Sequence, residues 1–323
     1  MNGLKEISIH DLEGFHIGNA EYEEHRTGLT VILPEHGACC GLDVRGGGPA
    51  SRESALLNPL ADNSCVNAVA LSGGSAFGLN STSGIMQYLE ERKEGYMTDA
   101  GVVPIVCASC IFDLEMDNIV RPDARLGYQA CLNAEKDNYQ DGNKGCGTGA
   151  TVGKAYGSEH MMNSGIGSIA YQCGDLKVGA IAAVNCMGNV FDEHGNQIAG
   201  CLEYETNQFM SAEEAFYMRQ ASLQKHTNTT IGVILTNASF DKTHLTKIAG
   251  MAHDGMARAI SPVHTMFDGD SIYALSKGNV VSDVNTVGVL AARAFSEAIR
   301  NAVKHTTSAY GLKCYSDLTF SHH

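Results

Sequence analysis

Asp268-Gly269-Asp270 places two carboxylates at i and i+2, on the same side of the chain wherever the backbone is extended. Two negative charges so placed would hold an ammonium group and tune its proton affinity. The same residues serve as a turn into the strand SIYALS (271–276), since Asp-Gly is a favoured turn pair. Asn185 ends the run VGAIAAVN (178–185). Its amide either stabilises the turn before Met187-Gly188 or donates to the oxyanion formed when a carbonyl is attacked, a contribution of about 3 kcal/mol. Lys154 follows a glycine run with little competing charge beside it in sequence. It could support a developing negative charge, although an exposed Lys is the default. Thr229, taken alone, is a β-branched residue opening a strand.

Other patterns suggest chemistry and do not sustain it. Cys107-Ala-Ser-Cys110 has the spacing of half a zinc or redox site, but it lies in the apolar run VPIVCASCIFDLE with no second pair following. Zinc sites need four ligands at paired spacing, so these thiols and Cys39-Cys40 are expected in the core. The 13 histidines form no HExxH or HxH cluster. Neither a metal nor a cofactor is expected. GCGTGATVGKA (145–155) has the glycines of a phosphate loop but carries Thr148 where that loop needs Gly and Ala155 where it needs Ser or Thr.

Composition narrows the partners. The formal net charge is −14 and no Lys/Arg cluster is visible, which argues against nucleic acid and anionic membranes, because both draw on basic side chains. No apolar stretch reaches the ~20 residues that span a bilayer. The first residues, MNGLKEISIHDLEGFHIG, lack the basic start and apolar run of a signal peptide. Eleven scattered cysteines then read as free thiols in a cytoplasmic protein.

Strands are expected at 27–35 and 39–45, from about 67 into the Gly73-Gly74 turn, at 165–171, 178–184, 230–236 and 271–276. Helices should follow the Gly-Gly turn (Leu79, Ile85, Met86, Leu89) and the 230–236 strand (Leu245, Ile248, Ala252, Met256). A long helix should run over 283–303 with the stripe Val284, Val287, Ala291, Phe295, Ala298 and Ala302. Residues 132–149 read as a polar, glycine-punctuated loop. Residues 192–228, with a short helix starting at the capping box Ser211–Glu214, read as an exposed connector outside the core. Strand-rich sheets with few helices imply a layered α+β sandwich.

Six segments in order through residues 27–303 resemble one family: GLDVRGG (41–47), LSGGSAFG (71–78), VPIV (103–106), VGAIAAVN (178–185), NTTIGV (228–233) and HTMFDGD (264–270). The chain is similar to L-aminopeptidase/D-esterases, β-aminopeptidases and nylon-oligomer hydrolases. The resemblance implies the four-layer αββα arrangement of N-terminal-nucleophile hydrolases and one domain over 1–323. It further implies self-cleavage at Asn228–Thr229 into residues 1–228 and 229–323. Some relatives have Gly-Ser at the junction and a Ser/Glu pair downstream; Asn-Thr with Asp268 and Asp270 places this chain closer to the nylon-oligomer branch.

On that resemblance Thr229 is the nucleophile. Its hydroxyl needs a base, and a free α-amino group, with a reference pKa of about 7.7–8.0, supplies one only after the preceding peptide bond is cut. Thr229 would stand at a sheet edge over a cleft. Asp268 and Asp270 would hold the amine, Asn185 would donate to the oxyanion, and Lys154 would support the hydroxyl. The turn at Ser72–Ser75 would pack against the site, and His264 is read as structural. The implied substrates carry a free amine: short peptides, β-peptides, amino amides or esters, and ω-amino-acid oligomers, cleaved through an acyl-enzyme. An acyltransferase similar to ornithine acetyltransferase and an unprocessed, non-enzymatic binding scaffold are the competing readings. Relatives of this kind assemble as multimers, so a homo-oligomer is expected.

Overall fold

TGLTVILP, the strand Thr27–Pro34, is buried at every position, which a strand achieves only when both faces of its sheet are covered. The computed structural model describes residues 3–116, 119–218 and 228–318. Among them, the strands of two large sheets are, in chain order, β1 (Leu4–Ile7), β2 (Phe15–Tyr22), β3 (Thr27–Pro34), β4 (Ala38–Val44), β5 (Ser51–Arg52), β6 (Cys65–Val66), β7 (Ala68–Ser72), β8 (Val106–Cys110), β9 (Ile166–Cys173), β10 (Leu176–Asn185), β11 (Thr229–Ala238) and β12 (Ser271–Val280). One sheet has seven strands in the order β1-β9-β10-β11-β12-β4-β6, the other five in the order β2-β3-β7-β8-β5. The β11–β12 and β7–β8 pairs are parallel.

Side-chain alternation along β11 defines the layers. Ile231, Val233 and Leu235 pack with Ile32, Leu71 and Cys107 of the five-stranded sheet, whereas Ile234 and Ala238 face helix residues on the other side. Those residues lie on α4 (Lys242–Ala259) and α5 (Val284–Lys304). A third core joins Leu29, Val31, Ala68 and Ala70 of the five-stranded sheet to Ile85 and Leu126, on α1 (Ser81–Glu91) and α2 (Ala124–Ala134). The order is therefore α4/α5, seven-stranded sheet, five-stranded sheet, α1/α2, the expected αββα sandwich. Each buried Leu, Ile or Phe contributes about 1.5–3 kcal/mol from apolar burial.

The two C-terminal helices lie where their apolar periodicity puts them. Asp241 and Asp283 cap them through side-chain carboxylates that accept first-turn N–H groups, satisfying donors that lack an intrahelical partner. Val287, Ala291, Phe295, Ala298 and Ala302 are fully buried. The first part of 192–228 departs from the expectation of an exposed connector. Gln197–Ala199 pairs with Asn189–Phe191, Leu202–Glu203 pairs with Gln208–Phe209, and Ile198, Ala199, Cys201, Leu202, Ala212 and Ala215 are buried. These strands of two or three residues are too short for an alternation pattern to show. α3 (Ala212–Met218) follows; the remaining connector residues 219–227 lie outside the described residues. The expected 132–149 loop begins within the last turn of α2 and includes buried Cys146 and Thr148. Cys107 and Cys110 are core thiols, and burial pushes both up, Cys107 to about 12.

Candidate active site

Thr229 is the first residue of β11, a strand interior to its sheet. Its hydroxyl therefore stands at a strand end, and the expected sheet-edge position is corrected: β10 and β12 flank it on either side. Antiparallel pairing sets Asn185 directly opposite Thr229, where facing Cβ atoms are typically about 4.5–5.5 Å apart. On the other flank, a parallel bridge joins Asn228 to Asp268, which brings the Asp268–Asp270 run alongside residues 228–230. All five of Asn185, Asn228, Thr229, Asp268 and Asp270 are buried.

The carbonyl of Asn228 accepts two donors. Gly269 N–H reaches it at 2.9 Å, and the Thr229 hydroxyl donates to it as well. Asn228 N–H in turn donates to the Phe267 carbonyl at 2.9 Å. Gly269 owes its identity to this approach: a Cβ there would stand 2.8 Å from Thr229 Oγ1 and 3.1 Å from the Gly48 carbonyl.

The two carboxylates are held differently. Asp270 Oδ1 accepts Thr230 N–H at 2.7 Å, so it fixes the residue after Thr229. Its Oδ2 accepts the backbone N–H of His264 at 3.1 Å and lies 2.8 Å from that residue's Nδ1. Asp268 Oδ2 accepts the N–H and hydroxyl of Thr265 at 2.7 and 2.6 Å. Burial, reinforced by the nearby charge of Asp270, pushes Asp268 up to about 6. It holds its proton into a range where an ordinary aspartate is fully ionised.

Asn185 is the hub on the opposite side. Its Oδ1 accepts Thr151 N–H at 3.0 Å and the Lys154 ammonium at 2.8 Å. Its Nδ2 donates to the Phe112 carbonyl at 2.7 Å. With donors on one end and an acceptor at the other, the amide has one orientation that satisfies every partner. Lys154 is 1% exposed, so the default of a solvated lysine is overturned. The preceding Gly153 has φ +79°, and a Cβ there would collide with the Gly200 carbonyl group.

Lys154 also has acidic neighbours that adjacent sequence does not reveal. Glu115 Oε2 lies 3.6 Å from Nζ. Asp113, which feels the Lys154 charge, accepts the Thr27 hydroxyl at 2.6 Å and Gly74 N–H at 2.7 Å. Burial pushes Asp113 up to about 6, opposed by these hydrogen bonds and by the Lys154 charge. The Gly73-Gly74 turn thus reaches the site through Asp113, which follows the Phe112 carbonyl held by Asn185. Asp113, Glu115, Thr265 and Gly269 were not singled out in the sequence. The signal available for Asp113 was a lone carboxylate closing the apolar run VPIVCASCIF. Among the described residues no group of three or more His, Cys, Asp or Glu gathers closely enough to hold a metal, and no helix is long and apolar enough to cross a membrane.

Comparison with known proteins gives the chain its relatives. The model of peptidase family S58 matches residues 8–314. An uncharacterized aminopeptidase of Mycobacterium tuberculosis is 36% identical over 314 residues, covering 90% of this chain and 89% of that protein. A 6-aminohexanoate-oligomer endohydrolase of Kocuria is 28% identical over 312 residues, with 91% and 85% covered. Among solved structures, the L-aminopeptidase D-Ala-esterase/amidase of Ochrobactrum anthropi, described as a variant of the Ntn-hydrolase fold, superimposes with a TM-score of 0.66 at 18% identity. It covers 94% of this chain and 87% of that one.

Proposed function

The chain belongs to peptidase family S58 and is a hydrolytic enzyme, and from that premise we propose that it cuts itself between Asn228 and Thr229 and then hydrolyses amides with the freed Thr229. The observation that carries this reading is the Asn228 carbonyl, which meets the Thr229 hydroxyl and Gly269 N–H together.

In the first stage the Thr229 oxygen bonds to the Asn228 carbonyl carbon. The C–N bond breaks, and the hydroxyl proton ends on the nitrogen. The Gly269 N–H favours this step by bearing the charge that develops on the carbonyl oxygen. Water then hydrolyses the resulting ester, leaving a carboxylate on Asn228 and a free amine on Thr229. That amine is the base which the hydroxyl lacked.

In the second stage the amine takes the hydroxyl proton while the oxygen attacks a substrate carbonyl. The leaving amine receives the proton, and water releases the acyl group. The second N–H of the Asn185 amide is the oxyanion donor. Lys154 holds Asn185 in place and adds positive charge behind it. Asp270 fixes the strand entry, and Asp268 faces the new ammonium. Short peptides, amino amides and ω-amino-acid oligomers with a free amine are the substrate class, in keeping with the aminopeptidase and oligomer-hydrolase names of the relatives.

The test is steady-state hydrolysis of amino-acid amides and of 6-aminohexanoate oligomers by the wild type, T229S and T229A. The reading expects turnover in the first two and a loss of more than about 10³-fold in T229A. Comparable turnover in T229A would refute it.

A further inference from the structure

Cys39 on β4 and Cys65 on β6 stand directly opposite each other in an antiparallel pair, so their side chains share one face of the sheet. Cys40 N–H donates to the Ser64 carbonyl at 3.3 Å. The hydrogen-bonded positions therefore flank the two cysteines, whose own pair is of the non-hydrogen-bonded kind. Cα atoms in such a pair stand about 4.5 Å apart, the closer of the two antiparallel spacings. That separation falls within the reach of a disulfide, about 4.4–6.8 Å. Both residues are thiols in this structure, Cys65 exposed and Cys39 half-buried.

The segment that delivers Cys65 is pinned in this register. Asn63 Oδ1 accepts Cys65 N–H at 3.0 Å, and Asn63 Nδ2 donates to the Cys65 carbonyl at 3.1 Å. From α4, the buried Lys242 ammonium donates to the carbonyls of Ala61 and Asn63 at 2.6 and 2.8 Å. Cys65 Sγ lies over Gly37, where a Cβ would collide with it. Rotation about the two Cα–Cβ bonds, rather than backbone movement, is what brings the sulfurs together. Lys277, which donates to the carbonyls of Glu35 and Gly37, favours the Cys65 thiolate against the burial that raises both thiols. Other thiols are badly placed to compete. Cys40 faces the core between the sheets with Cys107, whereas Cys39 packs on the helix side. Cys173, also exposed, is on β9, and β10, β11 and β12 separate it from β4.

We propose that Cys39 and Cys65 form a reversible modification site, oxidised by a small-molecule disulfide such as oxidised glutathione to a cross-strand bridge that ties edge strand β6 to β4. Cys65 attacks first, being the exposed thiol with Lys277 beside it. Its thiolate bonds to one sulfur of the oxidant, the oxidant's S–S bond breaks, and one glutathione leaves, taking up the proton that Cys65 gave. The Cys39 thiolate then attacks the Cys65 sulfur of this mixed disulfide, and the second glutathione leaves in the same way. Two protein thiols are oxidised to one disulfide, and one glutathione disulfide is reduced to two thiols. Both cysteines precede Asn228, so the bridge forms alike in a cut and an uncut chain and is independent of the reading of Thr229.

The experiment incubates the native wild type, C39S and C65S with oxidised glutathione at about pH 8, where thiolates are populated. Each protein is then unfolded in N-ethylmaleimide to block the remaining thiols, and its peptides are mapped by mass spectrometry without reduction. The wild type should yield the Cys39 and Cys65 peptides joined, lighter by two hydrogens than the reduced pair, and dithiothreitol should separate them. C39S keeps Cys40 in the same peptide but lacks the resolving thiol, so no bridge should form and Cys65 should retain about tenfold more bound glutathione than in the wild type. C65S should show no bridge from Cys39. A wild type whose two thiols both end blocked by maleimide, or whose Cys65 stays glutathionylated as fully as in C39S, would overturn the proposal. So would a bridge from either residue to a different cysteine.

Discussion

Asn185 has little freedom. Thr151 N–H and the Lys154 ammonium take its carbonyl oxygen, and the Phe112 carbonyl takes one of its N–H groups. Replacing it with Asp keeps the shape but sets a second acceptor against the Phe112 carbonyl and removes the proposed oxyanion donor. N185D should lose about 10²–10³-fold in kcat, read by steady-state kinetics. Asp113 supports a prediction about stability. Its pKa in the fold, about 6, lies above the ordinary value of 3.8. The folded state therefore binds the extra proton between about pH 4 and 6, and the contribution of Asp113 to stability falls as pH rises through that window. Urea midpoints at pH 4.5 and 7, compared between T229A and T229A/D113N, should show a shallower decline in the asparagine variant. Equal slopes would mean that the carboxyl is not perturbed as described. The spacing of Asp268 and Asp270 drew attention to that pair in the sequence, whereas Asp113 and Glu115 were not singled out. The burial of Lys154 was not readable there, because the groups its ammonium meets, Asn185 and Glu115, lie far from it in sequence.

At the scale of elements, β11 is held from behind by α5. The Phe295 ring covers Gly232, where a Cβ would collide with that ring and with the Ile181 carbonyl. F295A should destabilise the fold by about 3–5 kcal/mol, measured by urea unfolding, and loosen the strand that carries Thr229 at its tip. α4 and α5 were legible because eighteen and twenty-one residues give several turns of periodic apolar residues to read. The short strands between residues 197 and 209 were not, since two or three residues contain no period. Thr229 lay between these cases. Its strand was plain from TTIGVIL, but nothing in that string distinguishes a nucleophile from any other β-branched residue, and the proposed role of Thr229 came only from the joint resemblance of six segments.

For the whole molecule, the proposed cut falls at the centre of the larger sheet. β11, β12, α4 and α5 lie on one side of the junction in sequence, and β4, β9 and β10 on the other. Yet β10 pairs with β11 from Val178–Thr236 to Asn185–Thr229, and β12 pairs with β4 from Ser271–Val44 to Ser276–Cys39. α5 also packs in one core with β10 residues such as Ala180 and Ala182. The pieces should therefore co-elute as one particle in native gel filtration and separate only in denaturant. Separation under native conditions would contradict this sheet order. The claim on which the rest depends is that one peptide bond breaks to create an amine. Intact-mass spectrometry under denaturing conditions tests it most directly, on the purified wild type and T229A. The account predicts fragments of about 24 and about 10 kDa in the wild type and one 34.3 kDa chain in T229A. An uncut wild type that still hydrolyses its substrate would contradict it.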